Sequence, residues 1–258
     1  MLVMTVVFGV VVGLLLGLLG GGGSILAVPL LVYGVGLTLT QAVPVSLVVV
    51  GSAAAVGVLP KLRARQVQWR LAGVFALSGA PGTIVGTLVG HHLAQRVLMA
   101  GFAVVMIVAG ARMLSPSGEL GTACRVGGAG INWRRCVPRA VPTGFGVGVL
   151  TGLFGVGGGF LIIPALVLML GVEMPIAIGT SLVIIVANSI TGLIAHMSAG
   201  IEWRVTLMFA GAAVLSSLAA SHFGTRVDIA RLQRWFAYLV FAIAAFIAAD
   251  TVLQGLGL

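Results

Sequence analysis

Two glycine blocks are the residues whose types and spacing could do chemistry. The first runs Gly20-Gly-Gly-Gly23 and leads into Ser24; the second holds Gly155, Gly157, Gly158 and Gly159. A helix that starts after such a block leaves its first N–H groups without intrahelical partners. Glycine removes the side chain that would keep a ligand away from them. The helix dipole adds positive potential at the same end, worth about 0.3–1 kcal/mol and up to ~2 kcal/mol where partly buried. Two such ends facing each other would hold an anion through main-chain donors. Downstream, Ser46, Thr180, Ser181 and Asn188 offer hydroxyl and amide donors without charge. Ser181 and Asn188 are seven residues apart and share one helix face. Both groups have a plainer alternative. Glycines also let helices pack closely, and buried hydroxyls and amides also bond between helices, at about 0.6 kcal/mol on average.

Other chemistries find little support. There is no H-E-x-x-H, G-x-S-x-G or C-x-x-C, and no pair of carboxylates inside an apolar run. The one lysine is Lys61, so no phosphate-binding G-K-[ST] exists. The expectation is a non-enzyme with no metal and no cofactor. Cys124 and Cys136 fit no zinc spacing and are expected as two free thiols; a bridge would require their loop to face an oxidising compartment. His196 closes an apolar run at the place where Lys61 closes another; a titrating group there could couple transport to protons. His91, His92 and His222 are expected at the membrane interface, and Glu173 in a solvated turn.

Composition names the solvent. Of 258 residues, 60% are hydrophobic and 7% charged, against roughly 25% charged in an ordinary soluble domain. That excludes a soluble globule and a disordered chain alike, and leaves a lipid bilayer. The +9 net charge sits in short connections between apolar runs, so it reads as membrane orientation and not as a nucleic-acid surface. Apolar segments fall at 3–19, 24–36, 41–60, 70–90, 97–114, 140–154, 160–172, 176–195, 204–223 and 235–254. The expected fold is all-α and polytopic, with about 8–10 membrane segments. The segments 24–36 and 160–172 are too short to span, and each follows a glycine block.

The chain is internally duplicated. A shift of 135 residues gives 17 identities over positions 13–57, pairing Pro29 with Pro164, Gly36 with Gly171 and Ser46 with Ser181. A shift of 134 then pairs Trp69-Arg70 with Trp203-Arg204. The division is a first repeat over 1–114, a basic connecting loop over 115–139 and a second repeat over 140–258. Short glycine-interrupted segments at matching places in two halves mark a secondary transporter and point to its binding site. Basic residues put the connections 61–70 and 115–139 in the cytoplasm. The bias reverses in the second half, so an inverted pair is expected, with each glycine block forming a break or a re-entrant turn. A parallel pair, with each block a break inside one crossing, is the alternative.

The doubled G-x-x-G-x-G-G-[GS]-x-x-x-x-P pattern, the run Ala177-Ile-Gly-Thr-Ser-Leu182, and the span ending in His196 before Gly200-Ile-Glu-Trp203 resemble the TauE/SafE sulfite-exporter family of membrane transporters. The resemblance implies a multi-pass permease of the inner or plasma membrane that moves sulfite, a sulfonate or another small sulfur-containing anion, with no organic cofactor. Carried over, the site is Gly20, Gly22, Gly23 and Ser24 with Gly155, Gly157, Gly158 and Gly159, then Ser46, Thr180 and Ser181. In the first half Ala42-Val-Pro44-Val-Ser46-Leu stands in place of A-x-G-T-S-L, and Lys61 in place of histidine. A passive anion channel and a non-transporting membrane interaction protein are the other two readings.

Overall fold

The computed structural model describes residues 2–19, 21, 23–114, 125–126, 130–131, 133–154, 159–195, 202–223, 234, 237–238 and 240–247. The first half contains α1 (Leu2–Leu19), α2 (Ser24–Pro29), α3 (Leu39–Arg63), α4 (Trp69–His92) and α5 (Gln95–Leu114). The second contains α6 (Trp133–Phe154), α7 (Gly159–Pro164), α8 (Met174–Ala195) and α9 (Trp203–Phe223), with further helical residues at 240–247. Strand among the described residues is confined to Arg125–Val126 and Gly130–Ile131, paired antiparallel. Four helical stretches, Leu39–Arg63, Trp69–Gly90, Pro175–Ala195 and Trp203–Ser221, are long and apolar enough to cross a bilayer. Large apolar side chains face outward on them, Leu77 at 80% exposure, which only lipid can cover. Trp69 and Trp203 are exposed at helix starts, where interfacial aromatics belong. The chain is an all-α polytopic membrane protein.

The local backbone repeats at the spacing of the sequence. Each short helix ends on a proline, Pro29 or Pro164, and passes into a π-helical turn, Leu30–Gly34 or Ala165–Met169. A proline has no N–H to give and crowds the carbonyl four residues back, so the wider turn relieves the clash. Both turns stop on a glycine with positive φ, Gly36 at +81° and Gly171 at +71°, a conformation open to glycine at little cost. The next residues close the stop, Leu37 N–H to Leu31 O and Val172 N–H to Leu166 O. Then α3 starts with the Gln41 side chain accepting from Thr38 N–H at 3.3 Å, and α8 with Ala177 N–H donating to the carbonyl of Glu173.

Packing joins the halves crosswise. Helix α1 packs chiefly on α9, and α6 chiefly on α4. Along α1, Gly9, Gly13 and Gly17 meet the carbonyls of Phe209, Ala213 and Ser217. Along α6, Gly148 and Gly152 meet the carbonyls of Gly79 and Thr83, while Gly144 meets Phe75 and Ser78. The two sets are the same positions under the 135- and 134-residue shifts, and both numbers rise together, so each pair runs parallel. Helices α3 and α8 cross the other way: Leu47 meets Gly192, Gly51 meets Ser189 and Gly57 meets Leu182. These two helices correspond in sequence and run antiparallel.

One expectation is revised at the start of α6. Helix α6 begins at Trp133, within the stretch 115–139, and its first two turns mix Arg134, Arg135, Arg139 and Pro138 with Trp133, Cys136 and Val137. Cys136, buried there, is disulfide-bonded, and there is no free cysteine among the described residues. That corrects the expected free thiol, which spacing alone could not settle; Cys124 lies outside the described residues.

A side chain at the glycine stripes has nowhere to go, whereas Gly146 on the same α6 faces open space. Gly13→Val and Gly148→Val should therefore each destabilise the purified protein by about 1–3 kcal/mol or more. Gly146→Ala should leave its thermal unfolding in detergent unchanged.

Candidate functional site

Helix α1 ends at Leu19 and the chain turns back at once. Gly23 lies against the Val12 carbonyl and the Leu16 amide of α1, at 2.9 Å from the latter to a Cβ placed on the glycine. Only a residue without a side chain lets α2 begin beside the last two turns of α1. Ser24, fully buried, donates its hydroxyl to Gly21 O at 2.7 Å, and its N–H reaches the same carbonyl at 3.2 Å. The serine thus holds the turn closed.

The two glycine turns meet. A Cβ on Gly21 would stand 2.5 Å from Gly159 O and 2.7 Å from Gly159 C. A Cβ on Gly159 would stand 3.0 Å from Gly21 Cα and 2.5 Å from Ile185 Cδ1. Ile185 is the middle of α8, so the contact lies at half the height of the bundle. Gly21 and Gly159 are both buried. Backbone that leaves helical geometry at this depth must be covered by protein or line a cavity.

The other expected residues are distributed unevenly around this contact. Ser46 and Ser181 occupy matching places, fully buried, each donating to the carbonyl three residues back, Val43 and Ile178, at 2.8 Å. Ser181 lies one turn from Ile185 on the same face. Asn188, one turn beyond Ile185, is buried against α4, where a Cβ on Gly79 would stand 2.9 Å from its Oδ1. Thr180 is engaged elsewhere: its hydroxyl oxygen accepts from Gln68 N–H at 3.0 Å, fixing the connection between α3 and α4 to the first turns of α8. Lys61 is half-buried near the end of α3, about 22 Å along the helix from Ser46. Gly20, Gly22, Gly155, Gly157, Gly158 and His196 lie outside the described residues.

Sequence reasoning missed three participants. Gly21 was hidden inside its own block, Ile185 carries no polar signal, and Ser189 stands next to Asn188 with an equally buried oxygen. Among the described residues no cluster of His, Cys, Asp or Glu could hold a metal ion. The polar side chains around the contact are hydroxyls and a carboxamide without charge, and Ser24, Ser46 and Ser181 donate to main-chain carbonyls.

The family model described as "Sulfite exporter TauE/SafE" matches residues 5–247. The chain belongs to the TauE/SafE sulfite-exporter family. It is 33% identical over 253 residues to a "Probable membrane transporter protein" of Xylella fastidiosa (strain Temecula1 / ATCC 700964), covering 95% of this chain and 94% of that one. It is 28% identical over 225 residues to the "Probable membrane transporter protein YunE" of Bacillus subtilis (strain 168), covering 80% and 82%. No solved structure matches the chain. Membership in TauE/SafE makes it a multi-pass membrane transporter, consistent with its apolar helices.

The Thr180 hydroxyl oxygen has a structural role as the acceptor of Gln68 N–H. Thr180→Val should cost about 1 kcal/mol of stability through the lost acceptor. Thermal unfolding of the purified variant should show that loss.

Proposed function

We propose that the protein is a secondary transporter of a small oxyanion, sulfite or an organosulfonate, received where the two glycine turns meet. The close approach of Gly21 and Gly159 at the middle of α8 carries this reading. Main-chain donors suit turnover. A buried arginine would grip the anion harder, but on insertion scales it costs about 2.5–3.5 kcal/mol at a helix centre. The middle of α8 holds no charged residue, and the arginines of α4, α6 and α9 stand at their starts.

The arrangement also supports an inverted pair of repeats, 1–114 and 140–258. Helices α3 and α8 correspond and oppose each other, while α1 runs with α9 and α6 with α4. Following the chain, α1, α3 and α5 run one way and α6 and α8 the other. The connections 64–68 and 115–132 then fall on one side. They carry or adjoin Lys61, Arg63, Arg65, Arg70, Arg134 and Arg135, and by the positive-inside rule we assign that side to the cytoplasm, although the Cys136 disulfide at the start of α6 argues for an oxidising compartment. An inverted pair around a central site gives two mirrored states, one open to each side. His196 and Lys61 are the candidates for coupling to protons.

Transport is tested in vesicles reconstituted with the purified chain and offered sulfite, thiosulfate, sulfoacetate and taurine, with and without a proton gradient. Saturable flux of a sulfur oxyanion that the gradient drives is expected, and Gly21→Ala should lower it at least about tenfold without reducing membrane insertion. Flux that neither saturates nor responds to a gradient identifies a channel; no flux of any of them removes the transport reading. Orientation is tested separately. With both cysteines replaced by serine, an Arg63→Cys variant should react with a membrane-impermeant maleimide only from the cytoplasmic side.

A further inference from the structure

Most buried hydroxyls in this bundle donate to a main-chain carbonyl, Ser46 to Val43, Thr83 to Gly79, Thr151 to Val147 and Ser181 to Ile178 within one helix, and Thr87 to Gly152 and Ser217 to Ala53 between helices. Ser189 does not. Its oxygen and Asn188 Oδ1 have no hydrogen-bond partner among the described residues, although the two residues are 3% and 1% exposed. Buried polar atoms left in this state are costly and call for an explanation, an unseen ligand among them. Packing does not demand polarity here. The corresponding positions of the first half are Ala53 and Ala54, both fully buried. The polar pair lies about 5 Å along α8 from Ile185, the residue over the glycine contact. Glycines face it on both neighbours, Gly79 on α4 and Gly51 on α3.

The chemistry of the orphan atoms restricts what can meet them. A carboxamide oxygen only accepts, so its partner must bring a proton on oxygen or nitrogen. No charge stands at this height to balance a doubly negative ion. Helices α7 and α8 carry none. Among the described residues, the charged or titratable groups of their neighbouring helices stand towards helix ends: Lys61 and Arg63 on α3, Arg70, His91 and His92 on α4, Arg96 and Arg112 on α5, and Arg134, Arg135 and Arg139 on α6. Desolvation rises with the square of the charge, so a dianion loses roughly four times what a monoanion loses on entering. Resting on the transport reading above, we infer that Asn188 and Ser189 are the specificity-determining residues of the site and that they select a singly charged oxyanion carrying its own hydrogen-bond donor. Hydrogen sulfite and hydroxy- or amino-sulfonates fit; sulfate and donor-free sulfonates do not.

Two monoanions that differ by one hydroxyl, hydroxymethanesulfonate and methanesulfonate, provide the test, as competitors and as transported ions in vesicles holding the full chain. The hydroxylated ion should be preferred about five- to tenfold. Sulfite flux should follow the hydrogen sulfite fraction as pH rises, and sulfate should be carried at least about tenfold more slowly. The double variant Asn188→Ala/Ser189→Ala copies the first half, so it should fold and melt no lower than the parent. It should still carry methanesulfonate but bring the preference close to one. Equal handling of the two monoanions by the parent overturns the inference even if the variant cannot be made, as does sulfate flux matching that of the monoanions, or a variant that keeps the preference. Absence of flux for every oxyanion instead overturns the transport reading, and this inference with it.

Discussion

Inside a hydrocarbon layer no water is available to a peptide group, so any backbone that leaves the helix must be covered by protein or line a cavity. The structure answers this constraint at the centre of the bundle by setting Gly21, in the turn after α1, directly against the backbone of Gly159 at the start of α7. The remaining architecture follows. The short helices α2 and α7 exist because the chain turns back before crossing. The prolines and π turns that end them let the chain reach the start of a full-length helix without a buried kink. The long pair α3 and α8 crosses alongside and closes the turns from lipid.

The two-fold correspondence is close in the backbone and broken in the polar side chains. Proline, π turn and positive-φ glycine recur at one spacing in both halves. Thr180, Asn188 and Ser189, however, stand opposite Val45, Ala53 and Ala54. A scaffold that must be able to exchange its halves' roles needs the first kind of agreement, since helix contacts have to be remade equivalently. Recognition of one small ion needs only one set of donors and acceptors. The polar groups are concentrated on α8, and the first half supplies a matching apolar surface.

The sequence made the helices legible because bilayer thickness fixes their length, and it made the short ones legible because glycine brackets them. Gly9-x-x-x-Gly13-x-x-x-Gly17 also carried a packing signal, but a stripe of small residues does not name its partner. That α1 lies on α9 depends on a pairing between halves, which no local pattern contains. The start of α6 was hidden for another reason: Trp133 to Arg139 is polar helix, and hydropathy sees only the buried turns that follow. The site was legible as to region and less so as to residue. Thr180 carries a second role that spacing could not show, accepting from Gln68 N–H, and nothing in the sequence distinguishes Ser189, whose oxygen has no hydrogen-bond partner among the described residues, from the serines that donate to main-chain carbonyls.

The crosswise pairing has a consequence for biogenesis. Helix α1 leaves the ribosome first, yet its glycine stripe is complemented only by α9, close to the end of the chain. During synthesis α1 must wait in lipid, or lean on a surrogate, while some two hundred residues follow. Contacts of such long sequence separation form slowly. Neither half can mature alone, so a protein cut after α5 would present unmatched stripes on α1 and α4 to the insertion machinery and to quality-control proteases. The same interlock commits the finished molecule to enter and leave its folded state as one unit.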